Sequence, residues 1–251
     1  MQIDKYVPSL KSCPAHRALH DSVAAITPQV TATEILLKRI DGAFSNFCDD
    51  AFYVAHDDGK LLSRCWMGWG KHNDSIGNWG YFFTAPECRG RGIGGAVLNL
   101  WRDDFNRRTS LPLCFLCTTG SANITKYYAK FGFRTVIEGS EFGPLYMPVG
   151  DSPATFSEFC EGYYQPSGKL YRAKATMEFR HEIDCLLRFY FIQNGLDFPI
   201  DDINGVDAAI HCMPESTFML FSEDGHCVGW GVNDEYRVHP LYKNIEIDPS
   251  N

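Results

Sequence analysis

Six residues, Gly90-Arg91-Gly92-Ile93-Gly94-Gly95, follow Arg89 and lead into the helical pattern IGGAVLNLWRDDFNRR. Glycines let a backbone turn tightly and approach another group where a Cβ would stand in the way. A helix start presents unpaired N–H groups and a partial positive charge, so an anionic group is its natural occupant. Arg89 and Arg91 add fixed charge and fork-shaped donors. Residues of these types in this order are suited to cradling a phosphate or pyrophosphate.

The stretch satisfies G-x-G-x-x-G, so a dinucleotide site has to be weighed. Such a site needs the first glycine directly after a strand and an acid at the end of the next strand. Here Pro86, Glu87, Cys88 and Arg89 intervene, and the next strand ends Cys117-Thr118-Thr119 without an acid. A nucleoside triphosphate loop needs Gly-Lys-Ser/Thr, which is absent. Other candidate chemistry is weaker. Cys114-x-x-Cys117 lies in a strand pattern, where an odd offset sends the two thiols to opposite faces, so no metal is expected there. His181 and Asp184 fall one turn apart on a helix, with nothing else to complete a metal site. Cys88 borders the loop, where a helix start and two arginines would favour its thiolate.

The elements that must position the loop read from periodicity. IDKYVPS is a short first strand. CPAHRALHDSVAAI is a helix with Pro14 in its first turn and Leu19, Val23 and Ile26 on one face. TATEILLKRIDGAF is a second helix, opened by a threonine cap and Glu34. AFYVAHDDGKLLSRCWMGWG reads as two strands about an Asp58-Gly59 turn. NWGYFFT is a strand ended by Pro86, with Trp79, Tyr81 and Phe83 expected on one face. After the loop and its helix come the strand LPLCFLCTT, the helix SANITKYYAKF closed by Gly132, and the strand pair FRTVIEG and PLYMPVG. The order β-α-α-β-β-β-α-β-α-β-β predicts a mixed α/β sheet with helices on its faces.

GDSPATFSEF marks a composition shift. It divides the chain into a first domain, 1–150, and a C-terminal part, 151–251. TFMLFSEDGHCVGWGVN in the second part resembles the Asp58-Gly59 hairpin, each ending in Gly-Trp-Gly. Two helical stretches precede it, and YRVHPLYKN echoes YFFTAPECRG. The C-terminal part is therefore expected to be a partial repeat of the first domain without a second glycine loop.

The 251 residues carry a net charge of −8 and are 45% hydrophobic. No basic excess is present to neutralise phosphates, which argues against a nucleic-acid partner. The first residues lack a basic stretch followed by an apolar core, no run is long enough to span a bilayer, and ten cysteines are scattered. A cytoplasmic protein with reduced thiols and no membrane contact is expected. Asn123-Ile124-Thr125 fits the glycosylation pattern by chance in such a setting.

On two motifs the chain resembles the GNAT superfamily of N-acetyltransferases. TAPECRGRGIGGAVL is similar to the family's acyl-CoA loop, Arg/Gln-x-x-Gly-x-Gly/Ala, with Arg89, Gly92 and Gly94 in register. Tyr128-Ala129-Lys130-Phe131-Gly132-Phe133 is similar to its Tyr-x-Lys-x-Gly-Phe signature. The resemblance spans about residues 1–150. It implies a GNAT-like acyl-CoA fold, with the C-terminal part as a partial GNAT-like repeat, and acetyl-CoA as acyl donor without a metal. It implies that the backbone of Phe82, Phe83 and Thr84 pairs with the pantetheine arm. N–H groups from Arg89 through Gly90, Arg91, Gly92, Ile93, Gly94 and Gly95 would hold the pyrophosphate. Tyr128 would lie near the thioester sulfur and protonate the departing thiolate. Where relatives often have asparagine at the start of the second helix this chain has Ser121, with Asn123 two places on, and either is a candidate CoA contact.

The activity implied is direct transfer of an acetyl group to an amine of a small molecule, peptide or protein. Relatives often place a glutamate on the fourth strand as base, and this strand has none. His72, Asp74, Glu141 or a water chain are the alternatives, and Glu87 is expected at the surface. Trp66, Trp69, Trp79, Tyr81 and Phe83 are candidates for an acceptor pocket, with core filling expected for at least half of them. The competing reading is a catalytically inactive acyl-CoA-binding module, or a regulatory or interaction protein. A homodimer and a recognition role for residues 151–251 complete the expectations.

Overall fold

The computed structural model describes residues 1–8, 13–25, 30–150, 155–165, 168–195 and 200–248. The chain divides into two compact units, residues 1–71 with 78–111, and residues 72–77 with 112–251. Residues 151–154, where the composition shifts, lie outside the described residues.

In the first unit the strands β1 (Gln2–Tyr6), β2 (Cys48–Asp57), β3 (Lys60–Gly70) and β4 (Ile76–Thr84) lie side by side in that order; β4's first two residues belong to the second unit. β1 with β2 and β2 with β3 are antiparallel. Asp58 and Gly59 both adopt left-handed backbone, at φ 44° and 75°, as a two-residue hairpin turn requires. Helix α1 (Pro14–Ala24) has Pro14 in its first turn, and the Cys13 thiol caps it by accepting from His16 N–H at 3.3 Å. Helix α2 (Val30–Ile40) begins upstream of the expected threonine cap. Thr31 is therefore inside the helix, and the residues preceding Val30 are, like Ile26, outside the described residues.

Leu19 and Val23 of α1, with Leu36 and Ile40 of α2, pack against Phe52, Val54 and Trp66. Helix α3 (Ile93–Arg107) serves a second apolar cluster. Its buried Trp101 donates from Nε1 to Met67 Sδ at 3.3 Å and lies 5.4 Å from the Trp79 ring. Burying these large aromatic surfaces on both faces stabilises the sheet that carries β4.

The second unit holds β5 (Cys114–Thr119), helix α4 (Ala122–Ala129), β6 (Arg134–Thr135) and β7 (Gly143–Pro148), with β7 between β5 and β6. The expected strand FRTVIEG shrinks to two paired residues. Helix α5 (Phe156–Tyr163) follows, opened by a capping box between Thr155 and Glu158. Then come β8 (Leu170–Lys174), α6 (Arg180–Gln193), α7 (Ile200–Cys212), β9 (Thr217–Phe221), β10 (Cys227–Val232), β11 (Glu235–Val238) and β12 (Ile247–Asp248), in a sheet ordered β11-β10-β9-β8-β12.

The run strand, two helices, three strands, with spatial order β8-β9-β10-β11, repeats that of β1 through β4. The local hydrogen bonds repeat as well. Ala85 N–H donates to Leu62 O at 2.9 Å ahead of Pro86, and His239 N–H donates to Val228 O at 2.8 Å ahead of Pro240. Leu62 stands three places after Gly59, and Val228 three after Gly225. The Gly-Trp-Gly likeness is out of this register. With the turns aligned, Gly229-Trp230-Gly231 falls opposite Ser63-Arg64-Cys65. The glycines of β10 have their own cause: a Cβ at Gly229 would meet Leu220 at 2.8 Å, and one at Gly231 would meet Phe218 at 2.5 Å.

Candidate functional site

Strand β4 carries one departure from regular geometry. Tyr81 has φ 52°, a left-handed conformation that tyrosine adopts rarely and at a cost. The kink resets the alternation of side chains, as a bulge does. Trp79 is buried and pairs with Phe82 at 6.2 Å and Trp101 at 5.4 Å. Tyr81 instead lies 5.2 Å from Trp66, and Phe83 lies 5.5 Å from the Arg64 guanidinium. The expected common face for Trp79, Tyr81 and Phe83 is therefore broken. Trp66, Trp69 and Trp79 are core residues, while Tyr81 and Phe83 are exposed.

Beyond the kink the strand end is tied to its neighbours. Ser63 Oγ donates to Phe83 O at 2.8 Å and pairs with Thr84 Oγ1 at 2.9 Å. Arg89 reaches back to donate from Nε to Thr84 O at 3.1 Å. Two of the carbonyls expected to face a pantetheine arm thus already accept one hydrogen bond each, with a second lone pair remaining.

A turn at Pro86–Cys88 leads to the glycine loop. The glycines meet different needs. Gly90 and Gly92 have φ 73° and 77°, and Gly92 is the N-cap of α3 with no side-chain cap. Gly94 permits close approach of helix to strand: a Cβ there would stand 2.8 Å from Thr84 Oγ1 and 3.2 Å from Phe82 Cζ. A Cβ at Gly90, Gly92 or Gly95 would meet nothing within 4 Å, so open space lies along the loop. Arg89, Gly90, Arg91 and Gly92 are exposed, and Ile93 is buried as the anchor of the first turn. The arrangement is an uncapped helix start, wrapped by glycines and flanked by two arginines. Such a start suits an anion.

Glu87 is exposed and ion-paired to Lys60 at 2.7 Å; the Lys60 hydrogen bond holds its carboxyl below the usual range. It is poorly placed to act as a base near neutral pH. Cys88 is buried, out of solvent reach.

In the second unit, Ser121 occupies the N-cap of α4 without a side-chain capping bond, and Asn123 is exposed in the first turn. Tyr128 is buried near the C-terminal end of α4, its ring 6.1 Å from Phe133. Gly132, at φ 98°, lets the chain leave the helix toward β6. His72, Asp74 and Glu141 are all exposed. Cys114 and Cys117 are buried and burial pushes both thiols up, as expected of packing residues rather than ligands. Asp184 is committed to Arg188 at 2.7 Å and Arg180 at 3.4 Å. All ten cysteines are free thiols. Among the described residues no cluster of His, Cys, Asp and Glu could hold a metal ion, and no helix is long and apolar enough to cross a membrane.

The residue that sequence reasoning missed is Arg64. It stands mid-strand in β3, 8% exposed, and lines a cavity of about 390 Å³ with Ala18, Asp21, Ser22, Leu61 and Phe83. A charge inside a strand that is otherwise buried nearly throughout was the available signal.

Residues 48–135, from β2 into β6, match the model of the acetyltransferase (GNAT) domain. Over these residues the chain is similar to a GNAT acetyltransferase domain. No relative among curated protein sequences matches it. Similar solved structures include an acyl-CoA N-acyltransferase from Pseudomonas aeruginosa, 17% identical, TM-score 0.43, covering 58% of this chain and 98% of that one. Escherichia coli ElaA is 16% identical, TM-score 0.41, over 58% and 97% of the two chains. The PaiA N-acetyltransferase from Thermoplasma acidophilum, solved in complex with coenzyme A, is 17% identical, TM-score 0.38, over 59% and 100%.

Proposed function

We propose that this protein is an acetyl-CoA-dependent N-acetyltransferase that moves an acetyl group directly onto an amine. The observation that carries the reading is the uncapped start of α3, with left-handed Gly90 and Gly92 and open space beside the loop. In this reading Arg89 to Gly95 hold the pyrophosphate of the acyl donor through backbone N–H groups, with Arg89 and Arg91 supplying charge. The backbone of Phe82 to Thr84 aligns the pantetheine arm, and Ser121 or Asn123 adds a further contact. The neutral amine attacks the thioester carbonyl, the carbon–sulfur bond breaks, Tyr128 delivers a proton to the departing thiolate, and the proton shed by the nitrogen passes through water and restores the Tyr128 hydroxyl. No cysteine stands at a family nucleophile position, so no acyl-enzyme is invoked.

Residues 1–150 are the catalytic domain in this reading. Residues 151–251 are a truncated second GNAT-like unit, supported by the repeated strand order and the matching Ala85-Pro86 and His239-Pro240 turns. The setting is cytoplasmic.

Calorimetric titration with acetyl-CoA, and in parallel with NAD, tests the donor assignment. One-site binding of acetyl-CoA alone, severely weakened by Arg89→Ala, is expected. Absence of acetyl-CoA binding, or unchanged affinity in Arg89→Ala, overturns the assignment.

A further inference from the structure

Arg64 is a buried cation that meets no anion among the described residues. Its Nε donates to Tyr81 O at 3.3 Å, its Nη1 meets Ser22 Oγ at 3.5 Å, and its guanidinium lies over the Phe83 ring. No carboxylate among the described residues is within ion-pair distance. Burial alone pulls its pKa down from the usual range. The carboxylate that also lines the cavity, Asp21, has a side chain that is 76% exposed and turns to His20 at 3.5 Å.

A guanidinium removed from water with only neutral partners is unfavourable unless an anion completes it. Two features hold Arg64 in that position. The left-handed kink at Tyr81 presents the Tyr81 carbonyl to Nε, and α1 supplies Ser22. The fork is thereby oriented, with donors left for a planar bidentate acceptor. Ala18, Leu61 and Phe83 give the cavity its apolar wall, and the other cation on its lining, Lys60, is already ion-paired to Glu87 at 2.7 Å. Its 390 Å³ is within the range of small-molecule sites. Phe83 belongs both to this wall and to the strand end assigned above to the pantetheine arm.

We propose that this cavity is the acceptor site and that the acceptor is a carboxylate-bearing amine with an apolar body, of the amino-acid class, its carboxylate seated on Arg64. Its substrate role rests on the acetyltransferase reading. The carboxylate site itself stands without it, because binding can be measured in the absence of acetyl-CoA.

The probes are matched pairs that differ only in the carboxylate: L-leucine against 3-methylbutylamine, and L-phenylalanine against 2-phenylethylamine. Calorimetry on the wild-type protein is expected to show the amino acid of at least one pair binding at least tenfold more tightly than its amine. Arg64→Met is expected to erase that ratio, leave acetyl-CoA affinity unchanged, and raise the melting temperature of the free protein, because an unpaired buried charge is replaced by an apolar side chain of similar length. In acetylation assays the carboxylate members should be the better acceptors. Equal binding within both pairs overturns the proposal, and that comparison needs no variant. So does a ratio that survives Arg64→Met, or a marked fall in melting temperature in that variant. Failure of acetyl-CoA to bind while the amino acids still discriminate would remove the enzyme reading and leave the carboxylate site standing. Acetylation with no preference for carboxylates would do the reverse.

Discussion

Alanine at Gly92, Gly94 and Gly95 separates three roles that one loop combines. At Gly92 the backbone is left-handed, φ 77°, with open space around it. An L-residue there costs about 1–2 kcal/mol in conformation, partly offset by about 0.4–1 kcal/mol from the restricted unfolded chain. At Gly94 the conformation is ordinary but the space is filled. A methyl 2.8 Å from Thr84 Oγ1 and 3.2 Å from Phe82 Cζ must push helix and strand apart, at about 1–3 kcal/mol. At Gly95 neither cost applies, since the helix accepts alanine and nothing lies within 4 Å. There alanine stabilises the fold by up to about 1 kcal/mol. Urea unfolding should therefore rank the variants Gly95→Ala above wild type, with Gly92→Ala and Gly94→Ala below it. Acetyl-CoA affinity should not follow that ranking. If the donor's phosphates use the space beside the loop, Gly95→Ala loses affinity by about tenfold or more while gaining stability. Wild-type affinity in Gly95→Ala would refute the cradle at that end of the loop, because the fold would then be the only thing the glycine serves.

Tyr128→Phe keeps the ring against Phe133 and removes only the hydroxyl. It is expected to lower kcat by about a hundredfold or more with acetyl-CoA affinity retained; steady-state kinetics with calorimetry reads both, and an unchanged kcat would favour the non-catalytic binding module. In the second unit His239 is buried and burial pulls its pKa to about 4. Its neutral form then contributes stability in full above the unfolded value near 6.5 and loses it as pH falls toward 4, a loss of up to about 3 kcal/mol. The neighbouring histidine with the opposite sign, His226, is raised chiefly by its hydrogen bond to Glu182. Its contribution is complete below pH 6.5 and adds no slope there. Unfolding measured from pH 6.5 to 4 should be steeper in wild type than in His239→Phe, which also carries a pH-independent cost for losing the Leu241 N–H bond to Nδ1; parallel curves would sink the assignment.

What could be read from the sequence was whatever depends on local spacing. The eleven-element order from β1 to β7 is found as expected, because periodicity, Asp-Gly and Pro86 are each local signals. The glycine loop was legible for the same reason: its residue types restrict the backbone whatever surrounds them. Register was not legible. A strict two-residue alternation put Trp79, Tyr81 and Phe83 on one face, and a single left-handed residue undid it. Gly80, an isolated glycine inside the strand, was the trace of that kink. Gly-Trp-Gly matched as letters while the hairpins carrying it align elsewhere. Arg64 shows why such errors gather at the site. Its meaning depends on a carbonyl turned by the Tyr81 kink, a hydroxyl from α1 and the absence of a described carboxylate in reach, three facts contributed by separate segments. Each residue of β3 alone can be assigned to core or turn, but a cation with no described counter-ion on the wall of a cavity becomes a chemical statement only when the strands are set in register.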